Sequence, residues 1–74
     1  MKYIARELLQ GVENVHAYKD LEIRECSNAF AAKNFVDELL SKNYELRLKR
    51  QKKDYDTIVQ VELYFERKGK VQNK

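Results

Sequence analysis

Proline is absent from this 74-residue chain, and only two glycines, one cysteine and one histidine are present. Each scarcity removes a class of function. Gly11 and Gly69 are too few for a phosphate-cradling loop or a dinucleotide fingerprint, since both need several glycines at fixed spacing so that backbone can approach phosphate. The lone cysteine, Cys26, forms no internal disulfide, and Lys2, Arg6 and Glu7 stand where a secretory signal needs an unbroken apolar run. The cytoplasm is therefore the expected compartment. Lys33, Asp37 and Glu62 break the longest uncharged runs, so nothing approaches the roughly 20 apolar residues of a membrane-spanning helix. A soluble protein with no membrane partner is expected.

The same scarcities speak against catalysis. His16 and Cys26 share no C-x-x-C or H-x-x-x-H spacing with a second ligand, so no metal and no cofactor is expected. As a nucleophile and base the pair would lack an orienting group and an oxyanion donor. Asp37 and Glu38 are neighbours on the outer side of a helical pattern, and Asp54 and Asp56 flank a loop. These carboxylates are expected to stay solvated and not to act as an acid–base couple. No catalytic residue is assigned, and the chain reads as a non-enzymatic binding protein of the small accessory kind.

What is present suits one folded unit. Hydrophobic residues make up 43% and charged residues 36%, an ordinary balance for a core and its surface. A chain of this length builds a single core and buries about 60% of its unfolded surface. Within residues 2–10, Ile4, Ala5, Leu8 and Leu9, with Val12 next in the series, make an apolar stripe that predicts a helix stopping at Gly11, with Arg6, Glu7 and Gln10 toward water. Leu21 and Ile23 alternate with Glu22 and Arg24, which predicts a strand over 21–25, preceded by a weaker extended piece over 15–18. Ser27 or Asn28 can cap a helix over 28–42 that presents Phe35, Val36, Leu39 and Leu40 to the core. Asn43 tolerates the left-handed conformation that ends a helix.

Beyond Asn43, Tyr44, Leu46 and Leu48 alternate with Glu45, Arg47 and Lys49, the period of a half-buried strand. A second strand follows over 57–66, with Val59, Val61, Leu63 and Phe65 on the face toward the helix and Ile58, Gln60, Glu62 and Tyr64 on the other. The link over 51–56 lacks Gly and Pro, so a loop of four to six residues is expected in place of a tight two-residue turn. The fold class is α+β: a small single domain over 1–66, an antiparallel sheet with a C-terminal β-hairpin packed against one or two helices. Residues 67–74 read as a flexible basic tail.

Charge is placed unevenly along this outline. Residues 1–43 carry six cations against seven acids, a net −1, and residues 44–74 carry nine against five, a net +4, together the chain's +3. Arg47, Lys49, Arg50, Lys52 and Lys53 fall within seven consecutive positions with no acid among them. On the strand reading Arg47 and Lys49 point away from the face of Leu46 and Leu48 and continue into Arg50, Lys52 and Lys53 at the loop. Such an array can contact successive phosphates, with Tyr55 and Tyr64 offering rings or hydroxyls. The candidate nucleic-acid-binding residues are Arg47, Lys49, Arg50, Lys52, Lys53 and Tyr55. The alternative is a protein-interaction module or inhibitor that uses the same hairpin face on an acidic protein surface or as a homodimer, with Ile58, Tyr64 and Tyr55 as anchors. Lysine-rich strands also discourage edge-to-edge aggregation without any ligand. Glu62 and Glu66 interrupt the outer face and oppose a continuous phosphate track.

Overall fold

The computed structural model of the chain describes residues 1–69. Strand β1 (Lys2–Leu8) leads through one 3-10 turn (Val12–Asn14) to β2 (Tyr18–Glu25), helix α1 (Ala29–Ser41), β3 (Tyr44–Asp54) and β4 (Thr57–Arg67). The sheet order is β2-β1-β4-β3. The C-terminal hairpin of β3 and β4 is antiparallel, as expected, and β1 and β2 form a second antiparallel pair that was not expected. Strands β1 and β4 run parallel, so the sheet is mixed and not antiparallel throughout. The domain is α+β, with α1 crossing from one edge strand to the other over a single face.

The segment predicted as an N-terminal helix is the inner strand β1. Its apolar residues fit a helical stripe because a strand covered on both faces also carries apolar side chains at adjacent positions. Ala5 belongs to the core beneath α1, while Ile4 and Leu8 are buried outside that cluster on the opposite face. Arg6 and Glu7, expected toward water, are drawn inward. Glu7 is only 5% exposed; its Oε1 accepts from the Tyr44 hydroxyl at 3.3 Å and from Arg67 Nη2 at 3.5 Å, with Lys19 Nζ at 3.8 Å. Removing a carboxylate from water is tolerated where such donors replace the solvent. Gly11 does not stop a helix; at φ 77° it turns the chain out of β1 into the 3-10 turn. A Cβ there would lie 3.0 Å from Glu13 Oε1.

Helix α1 starts and ends as its sequence suggests. Asn28 is the cap, its Oδ1 accepting from the Ala31 N–H at 2.8 Å, and Asn43 leaves the helix at φ 70°. Asn43 then exchanges bonds with Lys68: the Lys68 N–H donates to its carbonyl at 2.8 Å and its Nδ2 donates to the Lys68 carbonyl at 2.9 Å. Phe35 and Leu39 are buried against Ala5, Cys26, Tyr44, Val61, Leu63 and Phe65. Each such side chain contributes about 1.5–3 kcal/mol. Val36 is half-buried and Leu40 stays 40% exposed, because Lys2–Leu8 forms a strand and no second α-helix lies alongside α1 among the described residues.

Three single-residue bulges set which way side chains point. Leu21 is extra in β2, Arg47 in β3 and Val59 in β4. The β4 bulge moves Ile58 to the α1 side, where it packs against the core, and leaves Val59 41% exposed. Asp54 pairs with Thr57, so the connection is a two-residue turn of Tyr55 and Asp56, not the longer loop expected. Tyr55 takes φ 58° and Asp56 does not take a positive φ, the sign pattern of a type II′ turn, which matches the twist of the flanking strands. At the other end Arg67, assigned by sequence to a tail, closes β4 and donates to the Tyr44 hydroxyl at 3.0 Å. Residues 70–74 of that expected tail lie outside the described residues. Among the described residues no helix is long and apolar enough to cross a membrane.

Candidate nucleic-acid interface

The hairpin of β3 and β4 outruns the rest of the sheet. On the turn side, β1 pairs with β4 no further than Gln60, opposite Lys2, so among the described residues Thr57–Val59 and the facing end of β3 have no third strand beside them. An 11-residue strand spans about 36 Å, and the molecule is 45 Å long but only 14 Å in its thinnest direction.

Arg47 does not belong to the free basic array. Its Nε lies 3.3 Å from Glu66 Oε1 and its Nη1 3.8 Å from Glu45 Oε1, so flanking carboxylates occupy it. Lys49, Arg50, Lys52 and Lys53 are exposed and join no ion pair among the described residues. Arg50 stands across from Glu62, yet that carboxylate is already engaged. It lies 3.4 Å from Arg6 Nη1 and accepts from the Tyr64 hydroxyl at 2.9 Å and from Gln60 Nε2 at 3.0 Å.

The expectation that Leu46 and Leu48 share one face, with Arg47 and Lys49 on the other, does not hold. Leu46 pairs with Phe65 and Leu48 with Tyr64, and adjacent strand residues point to opposite faces. The inserted Arg47 causes the switch. Cross-strand partners share a face, so Lys49 opposite Leu63 and Lys53 opposite Ile58 lie on the α1 side. Arg50 opposite Glu62 and Lys52 opposite Gln60 lie on the other. The hairpin thus carries two cations on each face.

Tyr55, at the turn, is 95% exposed. Tyr64 is 2% exposed and not available to a ligand. Its hydroxyl accepts from Arg6 Nη1 at 3.0 Å and donates to Glu62, and burial, followed by the bond to Glu62, holds the phenol above its usual pKa. Around it, on the face away from α1, is a polar cluster not anticipated from the sequence. Arg6 Nε donates to Asp20 Oδ1 at 3.0 Å, and its guanidinium stacks 4.3 Å above the Tyr18 ring. These residues lie 14 and 58 positions apart along the chain, so only the strand order brings them together. His16 is exposed and Cys26 is buried, and among the described residues no three His, Cys, Asp or Glu side chains gather as a metal site.

No family model matches this chain, and no curated protein or solved structure matches it. A functional reading therefore rests on the geometry of the hairpin itself.

Proposed function

We propose that this protein binds nucleic acid through the tip of its β3–β4 hairpin, with Lys49, Arg50, Lys52 and Lys53 contacting phosphates and Tyr55 supplying an aromatic surface, and that it does so without catalysis in the cytoplasm. The observation that carries this reading is a projecting hairpin whose four exposed cations have no acidic partner among the described residues. Phosphate oxygens are the ligands such cations recognise without sequence preference. Guarding an edge strand against aggregation also uses lysines. That role, however, asks neither for a tip beyond the sheet nor for an exposed aromatic at its end. The protein-interaction alternative loses two of its three anchors, since Tyr64 is buried and Ile58 packs on the core.

The test is fluorescence anisotropy against mixed-sequence DNA and RNA, single- and double-stranded, over a salt series. With four phosphates engaged, log K falls against log salt with a slope of about −3 to −4. Replacing Arg47 by Gln leaves that slope unchanged, because its charge is already matched by Glu45 and Glu66. No measurable salt-dependent binding to any of the nucleic acids would falsify the proposal.

A further inference from the structure

The split of the cations between the two faces of the ribbon says what kind of nucleic acid suits it, granted the reading above. We infer that the ligand is B-form duplex DNA, and that the hairpin enters the major groove tip first, reaching the phosphates of both strands from its opposite faces. A flat contact, such as a single strand laid across the sheet, meets one face and therefore two cations, either Arg50 and Lys52 or Lys49 and Lys53. Only a ligand with phosphates on both sides of the ribbon engages all four.

The dimensions agree. One sheet layer with its side chains is about 10 Å thick and the major groove of B-DNA is about 12 Å wide. The three residues of β4 beyond Gln60 add about 10 Å of ribbon before the turn, against a groove depth of about 8.5 Å. Lys49 and Arg50, further from the turn, then stand at the groove rim, and Lys52 and Lys53 lie along its walls.

The acids fit the same placement. Asp54 and Asp56 flank Tyr55 at the tip, where the groove floor offers cytosine amino donors and thymine methyl groups instead of phosphates. Residues 49–57 keep four cations against these two acids, a net +2. Duplex RNA is disfavoured because its major groove is too narrow and deep for side chains to read, let alone a ribbon.

The experiment compares one mixed sequence as duplex DNA, as each single strand and as duplex RNA, using the parent protein and two double variants, K49Q/K53Q and R50Q/K52Q. All four side chains are exposed, and an unchanged thermal midpoint checks that each variant is folded. On duplex DNA each double variant lowers the salt slope by about 1.8, which near 0.1 M salt corresponds to roughly 10- to 100-fold in affinity. Duplex DNA is bound more tightly than the other forms, and guanine N7 in the footprint is shielded from methylation. Equal or tighter binding of single strands or duplex RNA overturns the inference while leaving nucleic-acid binding intact. So does a double variant that leaves the slope unchanged, or a footprint with no N7 shielding. Failure to bind any nucleic acid overturns both this inference and the function beneath it.

Discussion

At the residue scale, Tyr55 has the least favourable backbone position in the hairpin. It carries φ 58° at a turn position that favours glycine, and at 95% exposed it has almost no packing to lose. Relieving left-handed strain is worth about 1–2 kcal/mol, and glycine's extra freedom in the unfolded chain takes back about 0.5–1. Tyr55→Gly should therefore raise stability in urea unfolding by roughly 0.5 kcal/mol. A loss of stability would mean that the ring makes contacts beyond those described. The turn was illegible in the sequence because a tight hairpin is normally signalled by Asn-Gly or Asp-Gly, and Tyr-Asp carries neither. Arg47 shows the converse problem. Its identity as a cation was plain, yet its neutralisation by Glu45 and Glu66 depends on a bulge that leaves no glycine in the sequence as a sign.

At the scale of elements, Arg24 is the polar link between β2 and α1 among the described residues, beside the apolar packing of Leu21 on the core. Arg24 Nη2 donates to Glu38 Oε1 at 2.8 Å and to Glu22 Oε2 at 2.7 Å, and its guanidinium lies 4.6 Å from the Phe35 ring centre. The bond from Arg24 is the main reason the Glu38 carboxyl sits below the usual carboxylate range. A carboxyl whose pKa is lower folded than unfolded stabilises the protein above its unfolded pKa and loses that contribution as pH falls through the folded value. The urea midpoint should therefore begin to fall as pH drops through the ordinary glutamate range and go on falling below it, and Glu38→Gln should flatten that part of the fall when the midpoint is followed from neutral to acid pH. An unaltered fall would show that the pair contributes nothing in solution, as many exposed pairs do. The helix was readable almost to the residue, since cap, apolar spacing and terminal Asn43 are local features. Strand β1 was not, because its second buried face comes from chain segments far away in sequence.

For the whole molecule, the cations of β3 have a second consequence that is independent of any ligand. This strand is one of the sheet's two edges among the described residues, 11 residues long, with Leu46 partly exposed, and unpaired edges of that length recruit further strands unless charge opposes it. Replacing Lys49, Arg50, Lys52 and Lys53 together by Ser should leave the monomer folded but make it sediment at higher mass with rising concentration. A variant that sediments like its parent would show that the edge needs no such guard. By itself the sequence determined the α+β class, the capped helix, the C-terminal hairpin and the concentration of positive charge on it, because each follows from local periodicity, capping chemistry or charge count. Only the tertiary structure decided that β1 lies between β2 and β4, that Tyr64 and Glu7 are buried, and that the free cations divide between two faces. Those outcomes depend on pairings between β1 and β4, as between Glu7 and Phe65, and on bulges one residue long. A one-residue change of register reverses every side chain beyond it while leaving the sequence pattern almost untouched.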